Sequence, residues 1–588
     1  MRIKPKIIVV GGGLAGLSAA MRLAELGLTV KLFSVVPVKR SHSVCAQGGI
    51  NGAVNTKGEG DSWEEHFDDT IYGGDFLANQ ELPRKMCRAA PDIISLFDRM
   101  GVMFNRTPEG FLDFRRFGGT KYHRTAFAGA TTGQQLLYAL DEQVRRFEVE
   151  GLIEKFEGWE FVSTVIDSRG SAKGIVAQHL SSMELHTFKA DAVLVATGGP
   201  GLVFGRSTNS VSCTGYAAAE LYKQGAYYAN GEFIQIHPTA IPGADKLRLM
   251  SESARGEGGR VWVMRDGEPW YFLEEWYPAY GNLVPRDVAS RAIHKVVYDL
   301  NLGIDGQPMV YLDVSHLPAD FLTTKLGGIL EIYEKFAGDD PRKVPMRIFP
   351  AVHYSMGGLW IDDNHMTNIA GIFAAGECDY QYHGANRLGA NSLVSCVFGG
   401  LYAAEKMRDY CAGLAKACDE IDEAPFLLES KKQKKSYGDI LDLSGPENAH
   451  RLHDELGEIM TANVTIVRQN VKLKQTLIKI QELKSRMERL GLSDRGTWMN
   501  REAIFVRQFQ NMLELAHVIT LGALLRDESR GAHFKPEFPE RDDEKFLKTT
   551  KACYSKDGPQ ISYEDVDIKY IKPRPRRYDV EKKVVKIA

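Results

Sequence analysis

The chain has 588 residues, a formal net charge of −3, and 44% hydrophobic and 25% charged residues. That length exceeds what one core supports, so roughly two to four domains are expected. The near-balanced charge argues against a dedicated nucleic-acid binder, and no apolar run of about 18 residues is present to cross a bilayer.

Met1–Pro5 runs straight into an apolar stretch. A signal peptide has no place in front of it, and a cytoplasmic setting is expected. The eight cysteines are scattered and none forms C-x-x-C. Neither a zinc nor an iron–sulfur pattern is visible, no metal is expected, and buried thiols in a reducing compartment are the simplest reading.

Ile7-Ile8-Val9-Val10 is a run of four β-branched residues, which predicts a buried parallel strand. Gly11, Gly13 and Gly16 follow at the G-x-G-x-x-G spacing, and Leu17, Ala20, Leu23 and Ala24 continue at helical spacing. Strand, glycines and helix together predict a dinucleotide-binding turn. Gly11 permits the tight turn, Gly13 admits a pyrophosphate and Gly16 lets helix and strand pack. A second strand is predicted over Thr29–Phe33. At its end, where an acid usually holds the ribose, stands Ser34. This segment alone therefore leaves the class of dinucleotide open.

The glycine-rich loop Ala46-Gln47-Gly48-Gly49 comes next and is expected along the cofactor. Gln134–Glu148 predicts an amphipathic helix. Ala192–Val195 reads as a buried strand ending in Thr197-Gly198-Gly199, and Asn368–Ala375 as another ending in Gly376-Glu377. Both ends are small enough to abut a flat cofactor. They lie far apart in sequence, so one nucleotide-binding domain must be interrupted.

The fold expected is α/β. A Rossmann-like domain (1–240 and 351–410) is interrupted by an α+β capping domain (241–350). A helical domain (411–530) and an extended C-terminal tail (531–588) follow. The basic run Lys431–Lys435 reads as a solvated surface.

Several motifs resemble the flavoproteins of succinate dehydrogenase and fumarate reductase. They are Arg40-Ser41-His42-Ser43, Ala46-Gln47-Gly48-Gly49, His237-Pro238-Thr239, Ser251-Glu252 with Arg255-Gly256-Glu257-Gly258-Gly259, Arg286-Asp287, His353–Gly358 and Gly384–Gly389. The resemblance covers nearly the whole chain, and Tyr228–Gly243 looks most like the bacterial menaquinone-linked branch. The family usually has Asp where Tyr216 stands, so no flavin contact is carried over there.

The resemblance implies FAD, carried covalently on His42 through the flavin 8α carbon. It places Gly11, Gly13, Gly16, Ser34, Ala46, Gln47, Gly48, Gly49, Thr197, Gly198, Gly199, Glu377, Ser392 and Leu393 at the cofactor. His237, Ser251, His353 and Arg387 match the family's dicarboxylate binders. Arg286 matches its base, with Glu252 and Arg255 as the proton relay and His237 as the next candidate base. The substrate pair implied is succinate and fumarate.

With no iron–sulfur cysteines here, electrons must pass to another chain. The resemblance names an iron–sulfur subunit and a membrane cytochrome b anchor that reaches quinone. It implies a peripheral position on the cytoplasmic face of the cell membrane. Quinol:fumarate reduction, the same parts run backwards, stays open. A soluble L-aspartate oxidase and an RNA-modifying flavoprotein are disfavoured, the first by His42 and the second by the neutral charge.

Overall fold

The computed structural model describes residues 5–243 and 247–582. Residues 1–4, 244–246 and 583–588, including the ends of the expected N-terminus and tail, lie outside the described residues.

β1 (Lys6–Val10), α1 (Leu14–Glu25) and β2 (Thr29–Ser34) form the first unit. α2 (Trp63–Gly73) and α3 (Thr132–Val149) precede β3 (Ile153–Glu157) and β4 (Ala192–Val195). β5 (Ile234–Ile241), α4 (Arg286–His294) and β6 (Met346–Ser355) belong to the interrupting part, whose sheet therefore begins before the expected boundary at 241 and runs past the one at 350. The chain then returns through β7 (Ile372–Ala374) and α5 (Asn391–Ala412).

Five strands pair in the order β7-β4-β1-β2-β3, all parallel. β1 and β4 sit at its centre and are covered on both faces, which is why they read as unbroken apolar runs. β7, from far along the chain, pairs with β4 as Val193↔Ile372 to Val195↔Ala374. The nucleotide-binding sheet is thus completed only after the insert has been made.

The insert has its own six-stranded sheet, with β5 beside β6. β5 and β6 are antiparallel, and their register shifts twice, between Gln235 and Ile236 and between His237 and Ala240. These irregularities re-aim side chains beside a site.

Three longer helices follow: α6 (Ala449–Asn463), α7 (Asn470–Arg486) and α8 (Arg501–Leu525). α8 is buried over most of its length. The basic run Lys431–Lys435 lies on the helix Ala424–Leu441, exposed except for Gln433.

The C-terminal part departs from a simple extended tail. β8 (Lys548–Cys553) and β9 (Gln560–Asp565) form a hairpin that pairs with Tyr228–Ala229. Upstream, Arg526, Glu528 and Arg530 form a fully buried ion-pair chain anchored on Glu232. Beyond the hairpin the chain is extended, but Arg576 is buried against Asp287 and Lys582 against Asp68. The Pro- and Arg-rich composition hid this, because Arg574 and Arg576 meet their acids, Asp68 and Asp287, only in the folded chain.

Candidate active site

The Gly11 turn has φ +119°, and a Cβ there would lie 2.1 Å from the Ala196 carbonyl oxygen. A Cβ on Gly16 would lie 1.8 Å from the Gly11 carbonyl oxygen. Neither position admits a side chain. Gly16 therefore closes the turn from behind, while Gly11, Gly13, Ser34, Thr197, Gly198 and Glu377 line a cleft at the C-terminal ends of β1, β2 and β4. That is where open α/β sheets bind nucleotides. Gly199 lies against the Glu377 side chain and outside the lining.

Burial raises the Glu377 carboxyl to about 7; it accepts the Ser355 backbone N–H at 3.0 Å. The Thr197 hydroxyl is buried with no partner in the described structure. A cleft floored by glycine, with an unsatisfied hydroxyl and a helix start at Leu14, fits a pyrophosphate-bearing dinucleotide. Tyr216, at the departure from the family pattern, is buried and also lines this cleft.

The cleft meets a second cavity of about 350 Å³ at His42. Ala46, Gln47, Gly48, Gly49, Ser392 and Leu393 line this cavity; the last two are in the first turn of α5. So do His237, Ser251, Glu252, Arg286, His353 and Arg387. Arg255 lies behind it, 2% exposed, and reaches the cavity only through Glu252.

Arg286 opens α4, just after Pro285. Its Nε donates to Glu252 Oε2 at 2.8 Å and one terminal nitrogen to Gln235 Oε1 at 2.8 Å. Gln235 in turn donates to the Asn386 side chain and, at 2.7 Å, to the Arg387 carbonyl. Gln235 therefore ties the two arginines together. Sequence reading passed over it; its signal was a polar residue two positions before His237 in an otherwise apolar strand.

Glu252 accepts from Arg286, from Arg255 at 3.1 Å and from the Gly118 backbone at 2.9 Å. Burial pushes this carboxyl up, but the two arginines more than offset it and hold it below its usual range. Arg255 also donates to the carbonyls of Asn282 and Val284, so it pins the loop that delivers Pro285 and Arg286. Asp287 does not pair with Arg286. It takes both terminal nitrogens of Arg576, at 2.5 and 3.0 Å, and one of Arg291 at 3.3 Å.

Arg387 stacks its guanidinium 4.3 Å from the centre of the Tyr354 ring, and its Nε is buried without a partner in the described structure. Burial, and then the charge of Arg286, bring it down to about 9. Burial and the nearby arginines hold His237 and His353 well below the usual histidine range, so both are neutral near pH 7.

The Thr239 backbone N–H donates to His237 Nδ1 at 3.2 Å. Nδ1 also lies 3.1 Å from the Thr239 hydroxyl, which itself donates to the Met250 carbonyl at 2.8 Å, and Nε2 is buried without a partner in the described structure. Ser251 Oγ accepts the Ser253 N–H at 3.3 Å and pairs with the Ser253 hydroxyl at 2.9 Å.

Two arginines, two neutral histidines and a serine thus face one buried cavity. The cavity suits a small dianion.

The FAD binding domain family model matches residues 6–393, and the fumarate reductase flavoprotein C-terminal model matches residues 453–578. The succinate dehydrogenase flavoprotein subunit of Bacillus subtilis is 65% identical over 99% of this chain and 99% of its own. The fumarate reductase flavoprotein subunit of Escherichia coli is 34% identical over 98% and 96%. A solved Escherichia coli quinol fumarate reductase chain superposes with TM-score 0.92 at 32% identity, covering 99% of this chain and 100% of that one. The chain belongs to the family of FAD-dependent oxidoreductase flavoprotein subunits that comprises succinate dehydrogenase and fumarate reductase.

Proposed function

We propose that the chain oxidises succinate to fumarate and passes the electrons to an iron–sulfur subunit, which a membrane cytochrome b anchor connects to quinone. The observation that carries this reading is the single cavity shared by Arg286, Arg387, His237 and His353, open to the dinucleotide cleft at His42. Bound FAD supplies a two-electron acceptor beside that cavity. Gly11, Gly13 and Thr197 would hold its phosphate region, and Gln47, Gly48, Ser392 and Leu393 would flank it where His42 stands.

His237 donates from Nε2 to one carboxylate, and Arg387 grips a carboxylate with its planar fork. Arg286 takes the proton from the carbon next to the one that loses hydride. A free guanidinium cannot do this. Here it is coupled to a buried carboxylate, Glu252, which is coupled in turn to Arg255. A proton arriving at Arg286 has a hydrogen-bonded path away from the cavity.

The chain sits on the cytoplasmic face of the cell membrane, held by its partners. No helix among the described residues is long and apolar enough to cross a membrane, which supports a peripheral attachment. The closest alternative is the quinol:fumarate reductase direction, since both directions share one transition state. Steady-state succinate oxidation and fumarate reduction by the purified complex, with quinones of different potential, test the reading. Absence of turnover in both directions overturns it, and faster fumarate reduction with a low-potential quinol selects the reverse direction.

A further inference from the structure

The two arginines of the cavity share a support that none of the motifs above contains. Behind Arg286, Asp287 takes the fork of Arg576 and one nitrogen of Arg291. Behind Arg387, the Ala385 N–H donates to the Gly74 carbonyl at 2.8 Å and the Asn386 amide to the Gly73 carbonyl at 3.3 Å. Gly73 ends α2, and the turn after it is strained. Asp75 and Phe76 both have left-handed backbones, at φ +52° and +62°. Residues with side chains rarely adopt that conformation, and two in succession persist only where the surroundings impose it.

The C-terminal part imposes it. Asp75 is 5% exposed. Its carboxylate accepts from Arg541 at 2.7 Å and from the Gly531 backbone N–H at 2.9 Å, and its carbonyl accepts from Arg530 at 3.0 Å. The Ala532 N–H donates to the Ala385 carbonyl at 2.9 Å, so the 530–533 turn lies directly on the loop that carries Arg387. The same turn reaches the other arm, because the Gly531 carbonyl accepts from Arg291 at 3.3 Å. Two buried carboxylates, Asp75 and Asp287, thus tie the C-terminal part to the two arginines, one to each. Arg541 and Arg576 lie outside the lining of the cavity, so each acts only through its acid.

We propose that the segment 530–576 is a positioning element for the dicarboxylate site: Arg576, through Asp287, sets Arg286, and Arg541, through Asp75 and Gly74, sets Arg387. The inference rests on the reading of Arg286 as the proton-transfer group and Arg387 as the carboxylate clamp. A dicarboxylate must meet both arginines at once. Their separation is fixed from the front by Gln235 and from behind by this segment.

The test compares the two arms in the purified complex. Arg576→Lys keeps a charge beside Asp287 but gives up the two-pronged grip. Asp75→Asn keeps a left-handed turn, which asparagine tolerates, but sets its amide nitrogen against a donor whichever way it faces. Turnover at saturating succinate and malonate affinity are measured at matched FAD content, beside the unfolding midpoint. Arg576→Lys should lower turnover about tenfold and leave malonate affinity within about twofold of wild type. Asp75→Asn should weaken malonate about tenfold and leave turnover within about threefold. Lys582→Met is the control: Lys582 pairs with Asp68 and Asp69 on α2 and with neither Asp75 nor Asp287. It should lower the midpoint and leave both other readouts as in wild type.

A lowered midpoint in the two arm variants, with turnover and malonate affinity unchanged or falling together, overturns the proposal. So does the reverse assignment of the two losses. Should Asp75→Asn yield no assembled complex, Arg541→Lys is scored by the same criteria, and failure of both to assemble marks the arm as purely structural and also overturns it. A wild-type complex without turnover in either direction overturns instead the reading of the cavity.

Discussion

The dinucleotide cleft and the dicarboxylate cavity adjoin at His42 but are built by opposite means. The cleft is made mostly of backbone. Its key contacts come from one contiguous turn, Gly11–Gly16, where a side chain would collide with a carbonyl oxygen. The cavity is made of side chains drawn from β5, the Ser251–Arg255 turn, the start of α4, β6 and the loop before α5. A backbone site fails when a residue gains an atom. A side-chain site fails when one group loses its partner, and the failure differs from group to group.

The largest effect is expected where one cavity group moves the proton. Arg286→Lys keeps the charge but loses the fork that reaches both Glu252 and Gln235. Turnover should fall by about 10²–10⁴-fold, with a much smaller change in malonate affinity. Near-normal turnover, with chemistry shown to limit the rate, would show that Arg286 is a binding group like its neighbours.

Next comes the support behind the cavity. Arg576→Ala strips Asp287, the residue after Arg286, of its bidentate partner and leaves Arg291, at 3.3 Å, as its paired cation. Removing one member of a buried pair costs about 3–5 kcal/mol. Thermal unfolding should show a clear fall in midpoint. An unchanged midpoint would mean that the extended segment lies on the surface without bracing α4.

Arg387→Lys should be smaller in free energy and opposite in kind to Arg286→Lys. It loses the planar contact with Tyr354 and the fork for a carboxylate. Malonate affinity should drop about tenfold to a hundredfold. Equal malonate binding by wild type and variant would move the clamp to another group.

The smallest effect is one of pH. Arg387 is cationic below its depressed value of about 9 and loses its charge as pH rises through it. Malonate affinity should therefore be flat between about pH 6 and 8 and decline on the alkaline side. His237 and His353 are already neutral in that range, so no acid limb should arise from them. A malonate titration with a histidine-like step near pH 6.5 would contradict that assignment.

Much of the cleft was legible from the chain alone. Four β-branched residues, three spaced glycines and a helical repeat are a local pattern, and local sterics allow few other shapes. The interruption was legible too, because Ala192–Val195 and Asn368–Glu377 end alike. The family motifs named the cavity residues before any geometry was available. Gln235 escaped, because it acts through hydrogen bonds to residues distant in sequence. Its side chain means nothing until β5 and β6 pair with shifted register.

The sequence by itself determined the strand–glycine–helix turn, the FAD-type architecture around an insert and the residue types offered to a dianion. Those follow from backbone sterics and side-chain chemistry that hold wherever the segments lie. Only the tertiary structure decided which charges pair. It set Arg286 on Glu252 and Gln235, gave Asp287 to Arg576, and left Arg387 over Tyr354 with its Nε unsatisfied. The reason is physical. A buried charge is tolerable only with a partner or a ligand within reach, and which groups come within reach is a property of the assembled fold.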